Sequence, residues 1–318
     1  MWSKAHKPLS RAEFDRRFPD EASCAEHLAA LRWPEGLACP HCAGRKGRRL
    51  EGDRGLWECA GCHRQTSVTA GTAMHQSKVP LRAWFTALHI VTSHSNGMSA
   101  LQLQSQLGLG SWNTAWLLLR KIRAAMAAPE GDGALFRGLV EVDETSIPCR
   151  SKEDDLTADS RGRSHLGKIA LIGAVEIDEG GRPGRARLAV LAGYSADKIG
   201  AFVRKAVAPK SGLLTDGLPA YKALAGEYNH RPKVVGKMAA HVVMPWAHRL
   251  FSRLLRWGTG TFHGFRRPHL QAHLDEFAWR WSRRNFRHTS FDRLLDGLAA
   301  RPHRAYRDFV PGRAAGTA

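Results

Sequence analysis

The most informative segment of the sequence is FRGLVEVDETSI, residues 136–147. Two segments of similar texture follow it, KIALIGAVEI at 168–177 and ARLAVLAGYS at 186–195. All three are short runs rich in Val, Ile and Leu, and Gly, Pro and charged residues separate them. This pattern is typical of β-strands, so we expect three consecutive strands in this part of the chain.

The chain after these strands extends the pattern to an α/β domain. Residues 195–208 have helical spacing, and Ser195 is a suitable N-cap. SGLLTDG, residues 211–217, reads as a fourth short strand that runs into a turn, and residues 245–257 and 268–284 read as helices. Three strands, a helix, a strand and then helices is the element order of a ribonuclease-H-like domain, a mixed sheet flanked by helices. Many α/β domains share parts of this order.

Two aspartates follow apolar strands. Asp143 ends the strand LVEVDET, and Asp216 ends the fourth run, LLTDG. Sites on open sheets form at strand ends, so these carboxylates would meet if the two strands are neighbours. Such a pair can hold two Mg2+ or Mn2+ ions for in-line phosphoryl displacement. Alternation places Glu141 on the same face as Asp143 and Glu144 on the opposite face. The alternative is that these are ordinary acidic residues at strand ends.

Four cysteines upstream have the spacing of a metal site. Cys39 and Cys42 form one C-x2-C pair, and Cys59 and Cys62 form a second pair after sixteen residues. Two such pairs complete a tetrahedral shell of thiolates that suits structural zinc. Four buried free cysteines are the alternative, which the paired spacing disfavours. Two isolated cysteines are predicted to be packing residues: Cys24 and Cys149. Five basic residues surround the predicted ribbon and form a DNA-facing or merely solvated surface: Arg45, Lys46, Arg48, Arg49 and Arg64.

Charge limits the class of partner. The 318 residues include 48 Lys and Arg against 29 Asp and Glu, a formal charge of +19. Such a surplus attracts polyanions, most often nucleic acid. A membrane surface is disfavoured because the positive charge is spread along the chain and not concentrated on one amphipathic helix. No run of about 18 apolar residues could span a bilayer, and the first residues lack the apolar core of a secretory signal, so we expect a cytoplasmic protein.

A helical segment lies between the cysteines and the strands. Residues 99–127 read as a helix, a turn at 108–110 and a second helix. This shape is typical of a DNA-binding helix-turn-helix, and the second helix ends with basic residues: Arg120, Lys121 and Arg123. A plain helical hairpin that connects two domains is the alternative.

Several blocks of sequence together resemble one family of insertion-sequence transposases. In order, they are RWPEGLACPHC, ECAGCHRQTSVTAGTAMHQSKVPLRAWFTAL, VDETSI, LTDGLPAY and GTGTFHGFRRPHLQAHLDEFAWRWSRR. From about residue 14 to residue 297 the chain is similar to the insertion sequence fifteen-ninety-five family. The resemblance implies an N-terminal zinc ribbon and a ribonuclease-H-like catalytic domain. That domain nicks transposon ends with water and then joins the free 3′ hydroxyl to target DNA.

The resemblance also implies a catalytic set. Asp143 and Asp216 match the first two carboxylates of the family. The third ligand is Glu, Asn or His on the helix before the G-T-x-H-G block, and it corresponds to His248. A neutral imidazole nitrogen can still bind metal. The family has a lysine seven residues later on the same helix face, where this chain has Leu255, which cannot hold a phosphate by charge. Two acids on a later helix are alternative third ligands: Asp275 and Glu276.

These interpretations predict four segments. They are a lead-in with the zinc ribbon at 1–75, a helix-turn-helix-like segment at 76–130, a ribonuclease-H-like domain at 131–300 and a basic tail at 301–318. A linker, APEGDG, is expected at 128–133.

The leading hypothesis is an active transposase that binds transposon ends and target DNA as a homodimer or higher oligomer. It would carry structural Zn2+ and catalytic Mg2+ or Mn2+, and it would not bind a membrane. A second hypothesis is a catalytically decayed or domesticated copy that only binds DNA. Leu255 favours this second hypothesis, whereas the intact Asp143 and Asp216 favour the first. A third, a metal-dependent nuclease of another process, is disfavoured by the family blocks.

Overall fold

The structure is a computed structural model, and it describes residues 7–51, 55–127, 135–149, 167–233 and 244–310. The chain divides into two compact units, Met1–Ala125 with Asn285–Ala318, and Met126–Arg284. The linker predicted at 128–133 lies outside the described residues. Within the described ranges, no helix combines the length and apolar character needed to cross a membrane.

The first unit is helical apart from one small sheet. Its helices are α1 (Arg11–Arg17), α2 (Glu21–Arg32), α3 (Leu81–Ser93), α4 (Ala100–Leu107), α5 (Trp112–Met126), which reaches the unit boundary, and α9 (Ser290–Ala300). The sheet has three short strands, β1 (Gly47–Arg49), β2 (Leu56–Cys59) and β3 (Gln65–Ser67). Because β2 pairs antiparallel with both neighbours, the sheet has the meander expected of a ribbon.

Aromatic packing explains why the last helix belongs to the first unit. Phe18 follows α1, Phe85 lies in α3 and Phe291 lies in α9, and their ring centroids are 4.9 to 5.9 Å apart. Arg17 of α1 also donates a hydrogen bond of 2.8 Å to Asp292 of α9. We predicted that the third segment would run to residue 300, whereas residues 285–300 pack with the N-terminal helices.

Helices α4 and α5 form the helix, turn and helix predicted from the sequence. Gly108 ends α4 in the left-handed conformation, with a φ of 62°. The sequence suggests that the basic residues at the end of α5 face DNA, but two of them, Lys121 and Arg123, do not. Lys121 is buried and donates to the carbonyl of Ala73 at 2.8 Å. Arg123 is buried and donates to the carbonyl of Met98 at 3.1 Å. Both cations satisfy carbonyl groups inside the unit and are not available to DNA.

The second unit is built on a five-stranded mixed sheet. Its strands are β4 (Leu139–Pro148), β5 (Lys168–Ile177), β6 (Pro183–Val190), β7 (Gly212–Thr215) and β8 (Asn229–Pro232), in the order β6-β5-β4-β7-β8. β5 is antiparallel to β4 and β6, whereas β7 is parallel to β4 and β8. The predicted ribonuclease-H-like fold class is confirmed. The edge strand β8 was not predicted, because its sequence NHRP has no alternating apolar residues.

Helices cover both faces of this sheet. One face packs against α7 (Pro245–Phe262) and α8 (Leu270–Ser282), and the other packs against α6 (Ala196–Ala206) and a 3-10 helix at Pro219–Leu224. On β4, Ile147 faces the first pair of helices, while Val140 and Val142 face the second. This alternation follows from the two-residue period of a strand.

Helix α7 is longer than the predicted range of 245–257 and continues to Phe262 through Gly258. Glycine normally weakens a helix interior, which is why the sequence alone suggested an earlier end. Here a Cβ atom on Gly258 would lie 2.1 Å from the ring of Phe265. The glycine therefore lets this ring pack directly on the helix backbone.

A carboxylate from the central strand fixes the start of α7. The N-cap residue of this helix, Met244, gives no side-chain hydrogen bond. Instead, the Oε2 atom of buried Glu141 accepts from the backbone N–H groups of Trp246 and Ala247, both at 2.9 Å. The first amides of a helix lack partners within the helix and favour an anion. Glu141 therefore ties α7 to β4, and burial raises the pKa of this carboxyl.

We expect Glu141→Leu to lower the free energy of unfolding by about 1–3 kcal/mol for each amide that it leaves without an acceptor. Both amides use one oxygen of Glu141, so Glu141→Gln keeps an acceptor there and should cost clearly less. Urea denaturation followed by circular dichroism measures both variants. An equal loss of unfolding free energy in the two variants would contradict the acceptor role, because the negative charge of Glu141 would then account for the whole stabilisation.

Candidate metal centres

The four paired cysteines come together in the first unit. The Sγ atoms of Cys39 and Cys62 are 3.7 Å apart, those of Cys42 and Cys59 are 3.5 Å apart, and all four lie within 4.8 Å of one another. A tetrahedral zinc with Zn–S bonds of about 2.3 Å would separate its sulfurs by about 3.8 Å. All six cysteines of the chain are free thiols. The donor set and its spacing therefore fit one closed four-thiolate site.

The two cysteine pairs have the same local backbone. In each, the residue after the second cysteine is left-handed, with a φ of 56° at Ala43 and 55° at His63. Each of these residues donates its backbone N–H to the carbonyl of the first cysteine, at 3.0 Å in the first pair and 2.9 Å in the second. The repeated turn directs both thiols of a pair to one point, as the C-x2-C spacing predicts. The zinc-ribbon fold predicted from the sequence is confirmed.

The basic residues around the ribbon are largely compensated. Arg45, Arg48 and Arg49 pair with acids of the same unit, at 3.3 Å for Arg48 with Glu58 and 2.5 Å for Arg49 with Glu26. Arg64 contacts His41 at 3.1 Å. The net positive charge of this surface is therefore smaller than its arginine content indicates.

Parallel pairing brings the two predicted aspartates to one level of the sheet. Leu139 of β4 pairs with Gly212 of β7, and Glu141 pairs with Leu214. Asp143 and Asp216 each lie two residues beyond the second of these pairs. Carboxylate oxygens of both aspartates lie within 4.8 Å of each other. The two aspartates are neighbours as expected, but only Asp216 follows the end of its strand. The prediction that Asp143 ends its strand is wrong, because β4 pairs with β5 as far as Pro148.

A third carboxylate joins this pair. An oxygen of Glu144 lies within 4.8 Å of the carboxylates of Asp143 and Asp216. The backbone alternation of β4 does place Glu144 on the side of Tyr221, whose hydroxyl donates to the Glu144 carboxylate. Sequence reasoning left Glu144 out of the site because face alternation was the only criterion. Glu144 lies inside β4, beyond the last residue of β4 that pairs with β7, so its side chain can approach Asp216 past the end of β7.

These carboxyl groups repel one another in a poorly solvated place. Burial raises the pKa of Asp143 to about 7, and the negative charge of Asp216 adds to this rise. Burial also raises the pKa of Glu144 to about 7, with the charges of Asp216 and Asp143 acting in the same direction. The backbone N–H of Glu144 and the hydroxyl of Tyr221 oppose these two shifts. Perturbed carboxyls of this kind cluster at functional sites, and hard oxygen donors suit a divalent cation.

The position of Asp216 is fixed by the turn that contains it. Its Oδ1 atom accepts from the backbone N–H of Leu218 at 2.9 Å. The buried hydroxyl of Thr215 accepts from the N–H of Gly217 at 3.3 Å and contacts the Nε2 atom of His230 at 3.0 Å. These hydrogen bonds hold the Asp216 carboxylate in the turn that directly follows β7.

Helix α7 brings His248 beside Asp143, but outside the group of three carboxylates whose oxygens lie within 4.8 Å of one another. The Nε2 atom of His248 lies 3.7 Å from the Oδ2 atom of Asp143, and one third of the histidine side chain is exposed. Leu255, seven residues later, is half-buried and packs against the apolar cluster on this face of the sheet. The alternative acids have other partners. Glu276 is buried and pairs with Arg280 at 2.8 Å, and Asp275 accepts from Gln271 at 2.9 Å.

Comparison with known proteins gives matches in both units. A model described as a transposase zinc-ribbon domain matches residues 19–65, and a model described as an ISXO2-like transposase domain matches residues 136–282. The chain is 29% identical over 157 residues to the uncharacterized protein in transposable element ISH50 of Halobacterium salinarum, covering 48% of this chain and 51% of that protein. The chain thus spans about half the length of that relative.

A solved structure of a pre-cleavage Mos1 transpososome is also similar, with 14% identity and a TM-score of 0.26 over 73% of this chain and 82% of that chain.

The two domain matches together cover more than half of the chain. They coincide with the zinc ribbon and with the mixed sheet, and both domains are of one transposase family. The chain therefore belongs to the insertion sequence fifteen-ninety-five family of transposases.

Proposed function

We propose that this chain binds the DNA ends of an insertion element and cleaves and joins DNA strands at the site of Asp143, Asp216 and His248. The observation that carries the proposal is the parallel register of β4 and β7, which supports a shared carboxylate site. The distance of 3.7 Å between His248 and Asp143 supports the histidine as the third ligand. Glu144 supplies a further carboxylate at the same point.

The reaction would have two phosphoryl transfers. Water attacks a phosphodiester at the element end, and the bond to the bridging 3′ oxygen breaks, which leaves a 3′ hydroxyl. This hydroxyl then attacks a phosphodiester of target DNA, and one new bond replaces the bond that breaks. Bound Mg2+ or Mn2+ would activate the attacking oxygen and stabilise the leaving oxygen. Asp143, Asp216 and His248 would hold the metal, the histidine through a neutral imidazole nitrogen.

The ribbon would hold one zinc ion through Cys39, Cys42, Cys59 and Cys62. A closed shell of four thiolates leaves no position for substrate, so the role is structural. The predicted segments at 1–75 and 76–130 would recognise the element ends, and the chain would act as a homodimer or higher oligomer on DNA.

A second candidate function is DNA binding without catalysis. The observation that favours it is Leu255, which packs against the apolar cluster where the family resemblance implies a lysine. A leucine side chain carries no charge and cannot contribute to phosphate binding through one. A cleavage assay separates the two functions.

The cleavage assay uses the purified chain, Mg2+ or Mn2+, and a labelled duplex with the sequence that flanks its gene. We expect nicking and joining by the unsubstituted chain. Asp143→Asn and Asp216→Asn should reduce both to background because each removes a metal-binding charge, and His248→Ala should slow them. DNA binding in EDTA should persist in all three variants.

Asp197→Asn is the control for the cleavage assay, since Asp197 is an exposed acid in the first turn of α6. Normal cleavage by Asp216→Asn would overturn the proposed site. Metal-dependent cleavage that is absent from the unsubstituted chain and restored by Leu255→Lys would establish the decayed-copy alternative.

For the ribbon, we expect one zinc ion per chain by elemental analysis. Cys59→Ser should release it, because three thiolates no longer complete the tetrahedral shell. Cys149→Ser is the matched control, since Cys149 is a buried cysteine of the other unit, and it should keep the zinc. Native protein without zinc would contradict the assignment.

The acidic site also predicts a pH dependence of stability without divalent metal. Asp143 and Glu144 titrate near pH 7 in the folded chain, against ordinary pKa values of 3.8 and 4.5. The folded state therefore binds more protons between about pH 4 and 7, and the contribution of these groups to the free energy of unfolding falls as pH rises through that window.

Urea denaturation in EDTA at several pH values tests this dependence by comparison with Asp143→Asn/Glu144→Gln. The stability of the unsubstituted chain minus that of the double variant should decrease from about pH 4 to 7 and then level off. Mn2+ at a pH above 7 should stabilise the unsubstituted chain more than the variant. A difference that is constant with pH would contradict the raised pKa values.

A further inference from the structure

Three arginines form a row on the exposed side of α7. Arg249, Arg253 and Arg256 are all exposed. At about 100° per residue, they lie within about 60° of one another around the helix. We call this row, Arg249 with Arg253 and Arg256, the arginine stripe.

The arginine stripe is unpaired with respect to the acids that the structure describes. None of its three guanidinium groups forms an ion pair with an acid in the described ranges of the chain. Arg249 lies over the ring of Trp246 at 4.7 Å, and Arg253 lies over the ring of Trp281 at 5.7 Å. These contacts orient the guanidinium groups but leave their charges uncompensated. The arginines of the zinc ribbon differ, because most of them pair with acids of their own unit.

Like charges are crowded next to this row. Arg284 of the same unit also lies over the Trp281 ring, at 4.8 Å, so two cations share one aromatic side chain. Burial lowers the pKa of Arg284, and the positive charge of Arg253 lowers it further. Concentrated charge of one sign costs stability through self-repulsion. An anionic partner on this surface would relieve that repulsion.

The arginine stripe lies on the helix that carries His248, the proposed third ligand. Its first member directly follows His248, about 100° around the same helix. From Arg249 to Arg256 the stripe is about 10 Å long at a rise of about 1.5 Å per residue. Successive phosphates of one DNA strand advance by about 3.4 Å along the duplex. Three guanidinium groups spaced in this way can therefore contact separate phosphates of one DNA strand.

We propose that the arginine stripe binds the phosphate backbone of the DNA strand that enters the Asp143 and Asp216 site. This inference rests on the proposed function. The guanidinium fork suits bidentate phosphate contacts, and the uncompensated charge of the row matches a polyanion. The stripe supplies positive charge on α7 next to the face that carries Leu255, where the family resemblance implies a lysine. It positions the strand without reading its sequence.

The test is DNA binding by the full chain with Arg249→Gln, Arg253→Gln and Arg256→Gln combined. Affinity for a labelled duplex is measured in EDTA, so that cleavage does not interfere, over a series of salt concentrations. Affinity falls as salt rises, and each lost phosphate contact reduces the magnitude of the slope of log affinity against log salt by about 0.9. We expect the slope to fall by about 2–3 and the affinity near physiological salt to fall by about tenfold or more.

A triple variant of α6 is the matched control. Lys198, Arg204 and Lys205 are exposed, and α6 packs on the other face of the sheet. Changing all three to Gln removes the same number of basic residues and should lower the slope by less than about one contact. A triple Arg→Lys variant of the stripe keeps the charge and should recover most of the affinity. Circular dichroism and thermal unfolding check that each variant is folded.

Equal losses in the α7 and α6 variants would overturn the stripe, because binding would then depend on net charge alone. An unchanged slope in the α7 variant would also overturn it. In both cases the unsubstituted chain still binds DNA, so the proposed function stands. Failure of the unsubstituted chain to bind DNA at all would overturn the proposed function and the stripe together.

Discussion

The parallel pairing of β4 with β7 is the constraint on which the proposed site depends. Two strands in this register deliver Asp143 and Asp216 to the same level, although 72 residues separate them in sequence. A shift of one residue would send one carboxylate to the other face of the sheet. The buried Val140 and Val142 on β4, packed against α6, oppose such a shift because it would turn Glu141 and Asp143 into their apolar cluster. Core packing therefore fixes the geometry of the polar site.

The same strand also fixes the helix that carries His248, the proposed third ligand. Glu141 lies two residues before Asp143 and holds the first turn of α7, while His248 follows directly in that helix. One strand thus sets the positions of the carboxylate and of the imidazole, 3.7 Å apart. Burial and the nearby charge of Asp216 both oppose ionisation of the Asp143 and Glu144 carboxyls. The arrangement is costly without a cation and well suited to one.

Much of the fold and of the two candidate metal sites can be predicted from the sequence, because short stretches of neighbouring residues determine these features. The C-x2-C pairs encode identical turns, so Cys39, Cys42, Cys59 and Cys62 could be grouped by their spacing alone. Apolar runs indicated the four main strands, and the acids that follow two of these runs indicated Asp143 and Asp216, although β4 continues past Asp143 to Pro148. Their catalytic role, with that of His248, stays a prediction.

Other features depend on contacts between distant residues and could not be predicted. The rings of Phe18 and Phe291 are 273 positions apart in the chain, and their packing assigns α9 to the first unit. Lys121 and Arg123 look like a surface patch in sequence, but their stems are buried and carbonyl groups accept from their charged ends. Glu144 was missed because alternation defines the direction of a side chain and not its reach. The packing of the Phe265 ring on α7 at Gly258 is likewise a contact that the local sequence does not indicate.

The central claim is that Asp143 and Asp216 together bind a divalent metal ion. X-ray diffraction from crystals soaked in Mn2+, recorded at the manganese absorption edge, tests it most directly. The account predicts an anomalous peak between the two carboxylates, with the imidazole of His248 beside it, and no such peak in Asp216→Asn crystals. An anomalous peak from Mn2+ bound elsewhere in the chain, with no peak at these two carboxylates, would contradict the claim.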